Sequence, residues 1–154
     1  MIKANVITKN LSWHRYIKNP NSYIDKKIKK LNNKNKKLKK NVYFTLLLSG
    51  EKEIKNLNRK FRKKNKVTDV LSFPFYTKKE LNKRLINEKE IYLGDIIINL
   101  SEIKDKKKLK NFKIEFNNLW IHGLVHLFGY DHKKEKDFLA MKKIEKKYFS
   151  FIND

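Results

Sequence analysis

Three of the four histidines in the chain lie within "HGLVHLFGYDH", residues 122–132. His122 and His126 are four residues apart, so on a helix they project from one face about one turn apart. That spacing lets two imidazoles meet one ion. Gly129 follows three residues later, where a helix can end through a left-handed turn that brings His132 back beside the pair. Three neutral imidazoles with an open fourth position make a catalytic type of zinc site; a closed structural site takes a fourth protein ligand. Zinc leads because imidazole suits it, although nickel or copper can occupy such a site. Any one of these histidines alone reads as a packed or surface residue. Three at this spacing, with the turn glycine, predict a metal.

The same H-x3-H-x5-H spacing occurs in the metzincin proteases. There a glutamate directly after the first histidine takes a proton from water. Here that position is Gly123, which removes the peptidase's base without removing the metal.

The elements that must carry these residues are legible from periodicity. "IKANVIT" at 2–8, the apolar run 41–50, "TDVLSFPF" at 68–75 and "IYLGDIIINL" at 91–100 predict strands. Pro74 places the third at an edge or a strand end. Pro20 and Ser22 mark a helix start, followed by Ile24, Ile28 and Leu31 at helical spacing. Residues 32–40 are a basic loop or frayed helix end. Ile54, Leu57 and Phe61 share one side of an amphipathic helix. Residues 77–90 are a charged surface loop with some helix, and Ser101 caps a short helix. The histidines sit on a long helix around 113–128, with Trp120 and Phe128 in the core. The last helix carries Phe138, Met141, Ile144 and Tyr148 on a stripe. A helix between strands favours parallel neighbours, while the connection from 68–75 to 91–100 allows an antiparallel pair. The expectation is an α+β fold: one domain over 1–154, with a mixed sheet of about four strands covered by helices and the histidine helix central.

Composition narrows the class. The length suits one core, and 40% hydrophobic residues are enough to fill it. No cysteine is present, so disulfides and thiolate metal sites are excluded. No apolar run is long enough to span a bilayer, and the N-terminus lacks a signal peptide's apolar region, so a cytoplasmic protein without membrane contact is expected. The net charge of +23 favours a polyanionic partner such as RNA. Abundant Lys, Asn, Ile, Phe and Tyr also fit an A+T-rich coding bias, which would account for part of that charge without any partner.

With these residues in view, the chain resembles a known family. "HGLVHLFGYDH" is similar to the signature of the YbeY family, metal-dependent endoribonucleases that act in ribosomal RNA maturation. "LNRKFRKKNKVTDVLSFPF" at 57–75 and "LGDIIIN" at 93–99 are two further family-like blocks, in the family's order. Together they span most of 41–150. The first forty residues match only in general character, and the lysine-rich insertions depart from the pattern.

The resemblance implies roles for single residues. Arg62 falls on the family's arginine in an LN-x3-R pattern, where a guanidinium would clamp a phosphate and stabilise charge on its oxygens. By position alone it is one more cation in "RKFRKK". Thr68, Asp69, Ser72 and Asp95 either line and brace the site or serve ordinary turns and caps. Asp131 orients an imidazole or contacts the metal's water, or else caps the following helix. His14 has no partner in sequence. The resemblance also implies one Zn2+ per chain and a 16S rRNA precursor as substrate, cut in 3′-end maturation and ribosome quality control. Contacts with the small ribosomal subunit and an assembly GTPase follow from it, and no DNA partner does. Two other readings stay open: a ribosome-assembly RNA-binding protein with a structural zinc, and a divergent zinc protease.

Overall fold

Four strands form one sheet: β1 (Ile2–Thr8), β2 (Asn41–Ser49), β3 (Val70–Pro74) and β4 (Glu90–Asn99). The computed structural model describes residues 1–153. Spatial order is β1-β2-β4-β3, with β1, β2 and β4 parallel and β3 antiparallel to β4. Five α-helices accompany the sheet among the described residues: α1 (Pro20–Lys34), α2 (Glu51–Arg62), α3 (Lys78–Asn87), α4 (Leu109–Leu127) and α5 (Glu135–Asn153). The expected α+β class and mixed sheet are both present.

The pleat explains how the sheet is sandwiched. In β2, Val42, Phe44, Leu46 and Leu48 are buried on one face, as the period of two requires. That face carries the main core with α1, α4 and α5. In β4, Ile96 and Ile98 join this core, while Ile97 between them joins Ile54 of α2 and Leu71 in a smaller cluster on the opposite face. The histidine helix is therefore a core helix. Phe112, Phe116, Trp120, Ile121, Leu124 and Val125 of α4 are all buried, and each such side chain contributes about 1.5–3 kcal/mol of transfer free energy. Trp120 is in the core, as expected, and its indole N–H donates to Asn117 at 3.0 Å. Phe128 packs against the core half-buried.

Two glycines allow close approaches. Gly94 has φ +134°, at a register shift between β2 and β4, and a Cβ there would lie 2.1 Å from the Phe73 carbonyl oxygen. Gly123 faces Ile96, and a Cβ there would meet its Cγ2 at 2.7 Å. Gly123 thus lets α4 lie directly on β4.

Some expectations give way. The charged stretch 77–90 is mostly helix α3: Thr77 and Glu80 form a capping box, and only Leu81 is buried. Ser101 does not act as a cap; Asn99 accepts from its backbone N–H and caps that short 3-10 turn. α4 begins at Leu109, and α1 continues to Lys34. Phe61 and Phe138 are 59% and 44% exposed. Phe61 rests edge-on against Phe73 instead of entering the core.

Candidate metal centre and its cleft

His122 and His126 stand on the last turns of α4, and the helix ends as the sequence predicts. Gly129 has φ +87°; its N–H donates to the His126 carbonyl at 2.8 Å, and the Tyr130 N–H donates to the Val125 carbonyl at 3.3 Å. These two bonds form a Schellman motif. The reversal carries His132 back: ring centres lie 4.6 Å apart for His122–His126, 5.0 Å for His126–His132 and 5.8 Å for His122–His132. One ligand atom from each lies within 4.8 Å of the others, a group able to hold a metal ion.

Hydrogen bonding fixes the tautomers of the first two. His126 Nδ1 lies 2.9 Å from the Tyr130 carbonyl oxygen, and His122 Nδ1 lies 2.6 Å from Glu145 Oε1. A carbonyl or carboxylate oxygen accepts, so each Nδ1 carries the proton and each Nε2 offers a lone pair to an ion. Burial pushes the His126 pKa below its ordinary value, and the neighbouring His122 adds to the shift. This imidazole is neutral near pH 7, the form that binds metal. The donor set fits a zinc ion with an open position.

Glu145 is a site residue the sequence reading missed. Burial pushes its carboxyl up, but bonds from His122 and from Lys142, whose Nζ lies 3.0 Å from Oε2, outweigh burial and hold it below the usual value. It is a carboxylate that orients an imidazole of the group able to hold a metal ion. Its signal was present: on α5 it lies one turn beyond the buried Met141, on an inward-facing stripe.

The histidines form one wall of a cleft of about 620 Å³. Arg62, Lys64, Lys66, Lys78 and Lys133 stand around it, with Tyr76 and Tyr130 between them. Arg62 lines the cleft from the end of α2. Its Nη2 donates to the Ser72 carbonyl at 2.6 Å, and its guanidinium carbon lies 5.7 Å from the Phe73 ring centre. Asn58 holds the loop that follows, donating to the Lys66 carbonyl at 2.9 Å. Asn99 donates to the Thr68 carbonyl at 3.2 Å. Thr68, Asp69, Ser72 and Asp131 also line the cleft. Ser72 is buried and meets Arg62 through its main chain. Asp69 accepts from the Val70 N–H, and Asp131 accepts from the His132 N–H at 2.7 Å, a local turn just before α5. Asp95 is elsewhere: on β4 it accepts from the Tyr92 hydroxyl, which also bonds Thr45, and it is not in the cleft lining. His14 bonds the Lys18 carbonyl, apart from the cluster.

The family described as Endoribonuclease YbeY matches residues 8–153. The chain belongs to the YbeY family. A protein named Endoribonuclease YbeY from Pelagibacter ubique (strain HTCC1062) is 40% identical, with 99% of this chain and 97% of the relative aligned. A protein of the same name from Buchnera aphidicola subsp. Schizaphis graminum is 38% identical over 87% of this chain and 80% of its own length. The solution structure of a Thermotoga maritima protein superposes with a TM-score of 0.62 at 26% identity, covering 97% of this chain and 89% of that one. YbeY membership extends the match into the N-terminal forty residues, where the motifs were silent.

Among the described residues no helix is long and apolar enough to cross a membrane.

Proposed function

We propose that the chain is one zinc-dependent endoribonuclease domain, specific for single strands, acting in the cytoplasm on the 3′ end of a 16S rRNA precursor and in ribosome quality control. The observation that carries the reading is the cleft itself: three imidazoles on one wall, Arg62 on another, lysines around the rim. His122, His126 and His132 would hold the zinc. When bound, zinc supplies a Lewis acid for a phosphoryl oxygen and acidifies water.

The remaining work belongs to the protein. Lysines at the rim concentrate a polyanion. Arg62, fixed by Ser72 and Phe73, presents further N–H donors to a phosphate and stabilises negative charge growing on it. Glu145 and the Tyr130 carbonyl hold the imidazoles in the metal-binding tautomer. The cleft has the volume for a nucleotide and its neighbouring phosphates. Peptidase chemistry lacks a place for its base, because the position after His122 packs on Ile96. The family and the basic exterior support ribosomal RNA as substrate, with the small subunit and an assembly GTPase as partners.

The test is metal content measured on the same preparation as RNA cleavage. We expect about one zinc per chain, cutting of single-stranded RNA, and loss of cutting on full chelation with recovery on adding zinc back. Cutting that persists undiminished without metal would sink the reading. Stoichiometric zinc without cleavage would favour a ribosome-assembly RNA-binding role.

A further inference from the structure

His122 stands between two hollows. The first is the cleft already described. The second, of about 470 Å³, opens between α4 and α5. Asp69, Val70 and His122 line both, so the two form one continuous surface across the metal-binding imidazole. The second hollow has a different chemistry. Its lining includes the apolar side chains of Leu119 and Phe149, with Asn118, Lys142, Glu145 and Lys146 beside the shared Asp69 and His122. Apolar and aromatic surface accepts the face of a nucleobase, a carboxamide reads a base edge, and an ammonium meets the next phosphate.

The acidic groups present do not oppose this. Glu145 is engaged by the His122 N–H and by Lys142. Asp69 accepts from the Val70 N–H and lines both hollows. Arg62 in the first hollow suits the phosphate, and Leu119 and Phe149 in the second suit the base.

We propose that the second hollow is a base-binding subsite for the nucleotide adjoining the phosphate held at His122 and Arg62. The inference rests on the nuclease reading and deepens it. A base enters such a hollow only when unpaired and unstacked, so this subsite selects single strands. Paired RNA keeps its bases in the helix and leaves the hollow empty.

The test uses short single-stranded RNAs in which one abasic ribose is walked through the positions around the cut. The zinc-loaded protein is compared with an Asn118→Ala/Lys146→Ala variant; both side chains are exposed, so the fold is kept. For the unaltered protein, an abasic ribose at one position beside the cut should lower kcat/KM by roughly tenfold. The variant should lose a similar factor on intact RNA, show no further loss on the abasic RNA, and retain its zinc. Indifference of the unaltered protein at every position would overturn the subsite, as would losses that simply multiply. If the unaltered protein cuts no RNA, the nuclease reading fails by itself. Anisotropy binding of the same oligonucleotides to metal-free protein then decides the subsite on the same criterion.

Discussion

The two walls of the cleft are built in different ways. The histidine wall is nearly self-contained: eleven residues supply three imidazoles, a Schellman turn and the carbonyl that orients His126. The arginine wall is assembled from distant parts. Arg62 ends a helix, Ser72 sits on an antiparallel strand, and Asn58 and Asn99 tie down the loop between them. Local construction gives a site that survives change elsewhere in the chain. Remote construction gives one that depends on the sheet being formed.

The largest expected effect removes the first wall's chemistry: His126→Ala should reduce bound zinc and RNA cleavage to background, read by metal analysis and gel assay. Arg62→Ala should lower cleavage by about 100- to 1000-fold while zinc content stays unchanged. A parallel loss of zinc would show that the walls are not separable. Glu145→Ala should weaken zinc affinity by about 10- to 100-fold, measured by competition with a chelator. Smaller effects distinguish the two constructions by stability. Gly129→Ala forces a side chain into a left-handed backbone against Lys78 and should cost about 1–3 kcal/mol, with weaker zinc binding. Asn58→Ala leaves the Lys66 carbonyl without its donor and should cost about 1–3 kcal/mol in urea unfolding, with zinc binding intact. The smallest effect is on metal-free protein under mild acid. Folding lowers the His126 pKa below 6.5, so the unfolded chain binds more protons as pH falls through that value. Stability should therefore decline from about pH 6.5 downward, and His126→Ala should flatten that decline.

Legibility in the sequence follows the same division. The first strand showed in its alternation, the second in an apolar run closed by Gly50, and the histidines in a spacing that only a helix followed by a turn makes meaningful. α3 was hidden because it buries little beyond Leu81; its one clear mark is the capping box of Thr77 and Glu80. Phe61 shares a helix side with Ile54 and Leu57, but hydrophobic spacing cannot tell a buried face from one that rests on another aromatic ring. Glu145, 23 residues from His122, shows in sequence only its place one turn beyond Met141; its partner is plain once α5 is laid against α4. Gly123 carried two meanings, of which the sequence showed one. It removes the peptidase base, and it also brings the histidine helix down onto Ile96.

The partner of His126 belongs to the main chain. Whatever residue stands at position 130, its carbonyl is still there to hold the imidazole, so that orientation is insulated from almost every mutation at its own position. His122 depends on one replaceable carboxylate. The cluster therefore pairs a genetically robust imidazole with a tunable one, and drift in the proposed metal affinity among descendants of this chain should enter through residue 145.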